Sequence, residues 1–248
     1  MIIVPLDHGI SMGPIQGLED ITNIVSQVHK GGADAVVVQK GLVSQIKDYL
    51  GSEGCELIVH LSASTSLSPN SNRKELVSTV EHAIRLGATA VSIHVNLGNS
   101  YEPEMLRDFG KVSGSCDQWG IPLLTMIYVR DGSNNSEYDA TRIKHAARVA
   151  QELGSDIIKV NYTGNVESFS EVINAVKVPI VIAGGPKMSS VKDLLIMIND
   201  AVQAGGKGIS IGRNIFQSPD PEKLVQVIRQ VLDSNLSKEE IAELALTL

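Results

Sequence analysis

Leu153-Gly154-Ser155-Asp156-Ile157-Ile158-Lys159-Val160-Asn161 contains the punctuation that decides the fold. A helical pattern ends at a glycine, and a run rich in β-branched residues follows at once. Glycine adopts the left-handed conformation that terminates a helix, and the apolar run after it reads as a parallel strand buried on both faces. The same junction recurs at Lys30-Gly31-Gly32-Ala33-Asp34-Ala35-Val36, at Leu86-Gly87-Ala88-Thr89-Ala90-Val91 and at Ala204-Gly205-Gly206-Lys207-Gly208-Ile209. Gly120-Ile121-Pro122 and Lys177-Val178-Pro179 punctuate the remaining junctions.

Eight strands are therefore expected, at 2–6, 34–39, 56–61, 89–95, 122–128, 156–161, 179–183 and 207–211. Helical patterns of roughly 12 to 20 residues fill the intervals, for example Leu18 to His29 and Ala140 to Leu153. Eight βα units without a linker, charge block or low-complexity segment predict one α/β domain, 1–248, folded as a (β/α)8 TIM barrel. A doubly wound open sheet is the alternative, because spacing alone does not prove closure. The Ser/Asn-rich stretches 62–72 and 131–139 follow the third and fifth strands, where a barrel keeps its functional loops.

Composition narrows the function. A hydrophobic content of 43% supplies a large core, and with aromatics at 4% the packing falls to Ile, Val, Leu and Ala. The net charge of −7, from 21 Lys+Arg against 28 Asp+Glu, argues against broad nucleic-acid binding. It leaves room for anionic substrates, since a phosphate site needs backbone amides and one or two cations. Cys55 and Cys116 form no CxxC pair, so neither a disulfide framework nor a thiolate metal site is indicated, and a cytoplasmic setting is expected. Met1-Ile2-Ile3-Val4-Pro5-Leu6-Asp7 lacks the charged start and long apolar run of a signal peptide. No apolar run approaches the ~18 residues of a membrane helix, so no membrane partner is expected.

Barrel enzymes draw their reactive groups from the C-terminal ends of the strands. On that reading Asp7 and His8 end the first strand, Lys40 the second, and His60, His94 and Asn96 lie on the third and fourth. Tyr128 and Arg130 end the fifth, and Lys159 and Tyr162 belong to the sixth. Gly184-Gly185-Pro186-Lys187 and Gly212-Arg213-Asn214 follow the seventh and eighth. Each has a structural reading by itself: a snorkelling lysine, a half-buried tyrosine, a tight turn. Their convergence at one end of the barrel does not.

Lys159, embedded between Ile158 and Val160, is the strongest single signal. Desolvation favours its neutral amine, a good nucleophile toward a carbonyl carbon. Glycines after the last two strands leave N–H groups open to a phosphate, with Arg213 as the cation and Lys187 beside it. A buried lysine plus a phosphate grip points to Schiff-base chemistry on a phosphorylated ketone. Tyr128 would shuttle the proton of the substrate hydroxyl, and Asp7 the protons of carbinolamine formation and loss.

The segments Val4-Pro5-Leu6-Asp7-His8-Gly9, Tyr128-Val129-Arg130, Lys159-Val160-Asn161-Tyr162-Thr163-Gly164, Ala183-Gly184-Gly185-Pro186-Lys187 and Gly212-Arg213-Asn214-Ile215-Phe216 resemble the archaeal-type class I (Schiff-base) aldolase family. The resemblance runs over nearly the whole chain in the same order. It implies a (β/α)8 barrel with Lys159 as the Schiff base, Tyr128 as proton donor and Asp7 as proton acceptor. Phosphorylated ketose and aldehyde substrates are implied, bound through Arg130, Gly184, Gly185, Lys187, Gly212 and Arg213. No cofactor or metal is implied, and the assembly implied is a homo-oligomer, often a decamer.

The family has two branches, fructose-bisphosphate aldolases of glycolysis and 2-amino-3,7-dideoxy-D-threo-hept-6-ulosonate synthases. The latter use an aspartate-semialdehyde acceptor on an aromatic amino-acid precursor route. The stretches from His60-Leu61-Ser62 to Leu67-Ser68-Pro69-Asn70, and Ser92-Ile93-His94-Val95-Asn96, look more like the second branch. Two features depart from the family. Its Tyr-Pro-Arg-Gly is Tyr128-Val129-Arg130-Asp131 here, and the chain begins almost at the first strand, where relatives carry an extension.

Two other classes of function compete. Asp7, His8, His60 and His94 could serve a metal-dependent lyase or hydrolase, although their spacing matches no zinc signature. A non-catalytic phosphate-binding barrel would leave Lys159, Tyr128 and Asp7 without a purpose.

Overall fold

Each glycine-punctuated apolar run forms a strand. In the computed structural model, which describes residues 1–51, 54–133, 135–234 and 236–248, these are β1 (Ile2–Pro5), β2 (Ala35–Gln39), β3 (Glu56–His60), β4 (Ala90–Leu97), β5 (Leu123–Val129), β6 (Ile157–Asn161), β7 (Ile180–Ala183) and β8 (Ile209–Ser210). Neighbours pair in parallel, and Ile3 of β1 faces both Ala35 of β2 and Ser210 of β8. The ring closes as a TIM barrel, which excludes the open doubly wound sheet. β3 and β4 lie across the ring from β7 and β8.

Helices α1 (Ile21–Lys30), α2 (Val43–Ile46), α3 (Val80–Arg85), α4 (Glu102–Trp119), α5 (Ala140–Glu152), α6 (Val166–Asn174), α7 (Val191–Gln203) and α8 (Pro221–Asp233) surround it. The helix expected from Leu18 begins instead at Ile21, because the Asp20 side chain accepts from the Asn23 N–H and caps it there. Asp139 sets the start of α5 in the same way, accepting from Arg142 N–H. At the far end of α5, Gly154 has φ +92°, the left-handed turn that sends the chain into β6. Among the described residues, no helix is long and apolar enough to cross a membrane.

The core has two layers. Ile158 and Val160, with Val36, Val38, Leu57 and Val59, face the helices. Ile3, Ala35, Val37, Ile58, Leu124, Met126 and Val181 fill the barrel interior as an apolar plug. Side chains alternate along a strand, so on β6 Ile157 packs on the plug and Lys159 stands one layer above it, at the mouth. Ile158 and Val160 are 0% and 1% exposed. Each such burial stabilises by roughly 1.5–3 kcal/mol, enough to hold a lysine where it is poorly solvated.

Two features escape the pattern. β4 runs two residues further than expected, pairing with β5 as far as Leu97 opposite Val129. The Ser/Asn-rich stretch after β3 folds back as a small antiparallel hairpin, Ser62–Ala63 against Glu75–Leu76. The second such stretch, 131–139, forms a 3-10 turn over Ser136–Tyr138, and its Asn134 lies outside the described residues.

Candidate active site

A cavity of about 370 Å³ opens at the C-terminal end of the barrel, with Lys159 in its wall. Lys159 lies opposite Met126 on one neighbour and Val181 on the other, and is 7% exposed. Burial pushes its ammonium down from the ordinary 10.5 to about 8; Asp7 opposes that shift and Arg213 adds to it. Proton affinity is thus roughly 300-fold weaker, and at pH 7 about a tenth of the side chain is free amine. The two rival lysines are tied elsewhere: the Lys40 ammonium donates to the Val77 carbonyl and that of Lys187 to the Gln217 carbonyl.

Asp7 leaves the end of β1 and enters a ring of bases. Its Oδ1 lies 3.5 Å from His8 Nδ1 and its Oδ2 3.8 Å from His60 Nε2. Burial pushes the carboxyl up, but His60, His8 and Lys159 together outweigh it, so Asp7 stays ionised. Burial also lowers His8, His60 and His94, which favours their neutral forms. His60 Nδ1 pairs with Ser92 Oγ at 2.8 Å, and His94 Nε2 with Asn96 Oδ1 at 2.9 Å. His60 and His94 are thus engaged by the barrel wall, and no group of three His, Cys, Asp or Glu among the described residues is arranged to hold a metal ion.

Tyr128, at the end of β5, stacks at a tilt on His94 with ring centroids 5.0 Å apart. Burial raises its hydroxyl well above the usual range, so the phenol holds its proton at neutral pH. The Arg130 guanidinium sits 5.7 Å over the Tyr128 ring and pairs with Glu137 at 3.1 Å.

The loops after β7 and β8 meet beneath Arg213. A side chain at Gly184 would strike Ile211 at 2.6 Å, and one at Gly212 would strike the Pro5 carbonyl at 2.5 Å. Asn214, quoted in the sequence with Gly212 and Arg213 but given no role of its own, ties the loops together. Its Nδ2 donates to the Gly184 and Pro186 carbonyls, and its Oδ1 accepts from Met188 N–H. Arg213 Nε is buried without a protein partner, a donor placed where an anion would complete it.

The structure thus brings Lys159, Tyr128, Asp7, Arg130, Gly184, Gly185, Gly212 and Arg213 to one cavity. It does not bring Lys187, which is exposed and turned toward Gln217. Tyr162 faces the helix layer, edge-on to Phe169 at 5.2 Å, because it is one residue out of phase with Asn161. Lys74, Glu137, Tyr138 and Asn161 also line the cavity. None was singled out as a site residue in the sequence. Asn161 carried a signal, being in phase with Lys159 on β6, and Glu137 and Tyr138 lie in the stretch 131–139 already marked as a functional loop.

Comparison with known proteins agrees with this picture. The family model "DeoC/LacD family aldolase" matches residues 1–218. Over 242 residues the chain is 42% identical to 2-amino-3,7-dideoxy-D-threo-hept-6-ulosonate synthase 1 of Archaeoglobus fulgidus, covering 98% of this chain and 89% of that one. It is 40% identical over 239 residues to the 2-amino-3,7-dideoxy-D-threo-hept-6-ulosonate synthase of Halobacterium salinarum, covering 96% and 89%. A solved archaeal fructose-1,6-bisphosphate aldolase, with its catalytic lysine covalently bound to the carbinolamine intermediate of the substrate, superposes with a TM-score of 0.88 at 30% identity, covering 94% of each chain. With a desolvated lysine in a closed barrel and a family match over most of its length, the chain belongs to the DeoC/LacD family of aldolases.

Proposed function

We propose that this aldolase works through a Schiff base on Lys159 and makes a C–C bond between a phosphorylated keto donor and aspartate semialdehyde, yielding a 2-amino-hept-6-ulosonate skeleton. The observation that supports it best is the desolvated Lys159 amine between Asp7 and Arg213 in one cavity. The free amine adds to the donor carbonyl, and the carbinolamine loses water to give a protonated imine. Asp7 takes and returns the protons of these steps. The protonated imine then draws a bonding electron pair into an enamine. Where a C–C bond breaks, Tyr128 takes the proton of the adjacent hydroxyl and the fragment leaves as an aldehyde; where a C–H bond breaks, Asp7 takes the proton. The enamine carbon then attacks the acceptor aldehyde, Tyr128 protonates the new alkoxide, and water releases the product and regenerates Lys159. The electron sink is the protein's own lysine, so the scheme calls for no cofactor.

Gly184, Gly185, Gly212 and Arg213 are the phosphate grip in this reading, with backbone N–H groups and one cation beside the lysine. Fructose-bisphosphate cleavage is the second reading, favoured by the likeness to the solved aldolase. A homo-oligomer in the cytoplasm is part of the same proposal, open to test by sedimentation and by localisation of the tagged protein. Two donor–acceptor pairs decide the chemistry: dihydroxyacetone phosphate with glyceraldehyde 3-phosphate, and a deoxy-diulose phosphate with aspartate semialdehyde. Turnover of the second pair, with borohydride trapping of the donor on Lys159, is expected. Turnover of the first pair alone would favour the second reading, and loss of activity to chelators without any adduct would overturn both.

A further inference from the structure

The cavity has a second charged pole, built by elements the mechanism leaves idle. Lys74 comes from the hairpin that follows β3, across the ring from Arg213. Its neighbours Arg73 and Glu75 point the other way: Arg73 bonds Asp108 of α4 at 2.8 Å and Glu75 at 2.9 Å, pinning the hairpin to the barrel wall. Lys74, just before the strand residues Glu75–Leu76, turns into the cavity, where its ammonium bonds Ser64 Oγ. Arg130 lies on the same side, and each lysine reflects its nearer pole. Burial and then Arg130 lower Lys74, whereas Arg213 is the cation that bears on Lys159.

A carboxylate lines the same cavity as these cations. Glu137, 30% exposed, pairs with Arg130 at 3.1 Å, and Asn161 Nδ2 donates to both its carbonyl and its side chain, at 3.1 and 3.3 Å. Asn161 sits on rigid β6, two residues above Lys159, so Glu137 is held at a fixed place relative to the reacting amine. Such a carboxylate is a poor neighbour for a phosphorylated aldehyde, whose dianion it repels. It suits an acceptor carrying an ammonium next to a carboxylate.

We propose that Lys74 and Arg130 receive the carboxylate, and Glu137 the ammonium, of an amino-acid aldehyde acceptor, making Glu137 the residue that separates such acceptors from phosphorylated ones. This rests on the Schiff-base reading above and adds the acceptor's polar end to it. Two cations and one anion line the cavity, and the Arg130–Glu137 pair offers a zwitterion one partner for each of its charges. The donor keeps the opposite pole, so both substrates meet with their reacting carbons over Lys159.

The test compares L-aspartate semialdehyde, succinate semialdehyde, which lacks the ammonium, and glyceraldehyde 3-phosphate. Glu137→Gln keeps shape and removes charge. It should raise KM for aspartate semialdehyde roughly ten- to a hundredfold, leave that for succinate semialdehyde within about twofold, and improve use of glyceraldehyde 3-phosphate. Lys74→Met should raise KM for both semialdehydes. Equal effects of Glu137→Gln on the two semialdehydes, or none on either, would overturn the assignment. Wild-type trapping by borohydride with a ketose phosphate alone separates the two levels. A trapped adduct with a flat Glu137 result sinks only this inference, while no adduct on Lys159 sinks the parent reading and this one with it.

Discussion

Replacing Lys159 with methionine should stabilise the fold at pH 7 while abolishing turnover. Burial moves the ammonium from 10.5 to about 8 in the folded protein. The unfolded chain therefore holds this proton up to 10.5, and the folded chain only up to about 8. Between those values the unfolded state binds more protons, so wild-type stability rises with pH across that window and is lowest below it. At ~1.36 kcal/mol per tenfold change in proton affinity, the charged lysine destabilises the fold by about 3 kcal/mol at pH 7 relative to a neutral side chain of its shape. At pH 9 the folded-state amine is mostly neutral, and the penalty falls to about 2 kcal/mol. Methionine is unbranched, apolar and adaptable, and fills the same space. Urea unfolding of wild type and Lys159→Met at pH 7 and 9 reads the effect as a difference between two proteins that share every other titrating group. The variant should be the more stable by about 3 kcal/mol at pH 7, with the gap narrowing by about 1 kcal/mol at pH 9. A variant no more stable than wild type at pH 7, or a gap that ignores pH, would refute the claim that this amine is desolvated.

Three further outcomes follow from the same geometry. The rate of borohydride trapping should climb with pH up to about 8, where the Lys159 amine becomes free, and level off above it; a profile still rising at pH 10 would place an unperturbed lysine at the imine. Arg213→Ala should cost roughly 1.5–3 kcal/mol of binding, a ten- to hundredfold rise in KM, for a phosphorylated donor and little for its unphosphorylated analogue, whereas Lys187→Met, altering a side chain bonded to Gln217 outside the cavity, should leave both unchanged. Tyr128→Phe should slow C–C bond formation by roughly a hundredfold or more yet still permit trapping of the donor, and loss of trapping as well would assign Tyr128 to imine formation instead.

The fold was legible because barrel strands are buried on both faces and most begin after a glycine or proline junction that sequence displays. Lys159 was legible for the same reason: Ile158 and Val160 fix the phase of β6, and phase decides which side chains face the mouth. Where phase is absent, reading stops. Lys74 lies just past the Ser/Asn-rich stretch 62–72, where there is no periodicity, and only the long-range pairing of Ser62–Ala63 with Glu75–Leu76 aims it inward. Glu137 depends on a 3-10 turn and on Asn161, 24 residues away. Lys187 failed in the opposite sense. It follows the glycines after β7, but φ of +63° at Gly185 begins a turn that carries Lys187 out to the surface. Neighbourhood in sequence located the loop and not the direction of its side chains.

Why the lysine should share its pocket with Asp7 follows from the charge at each stage. Desolvation disfavours every cation on the Lys159 nitrogen, the imine included, which makes the imine a stronger electron sink but a costlier intermediate. An uncompensated site would drive the amine further below 8 and gain nucleophile while losing the protonated imine. Asp7 sets the compromise. Its negative charge raises the lysine while Arg213 lowers it, and the two act from the same cavity. Asp7 in turn stays ionised because His60, His8 and Lys159 outweigh its own burial. The two histidines beside it are themselves lowered by burial, so at neutral pH they do not add two full positive charges beside the imine. In the proposed cycle one buried carboxylate, kept charged by its neighbours, thereby lets a single lysine serve as both a free amine and a cationic imine at neutral pH.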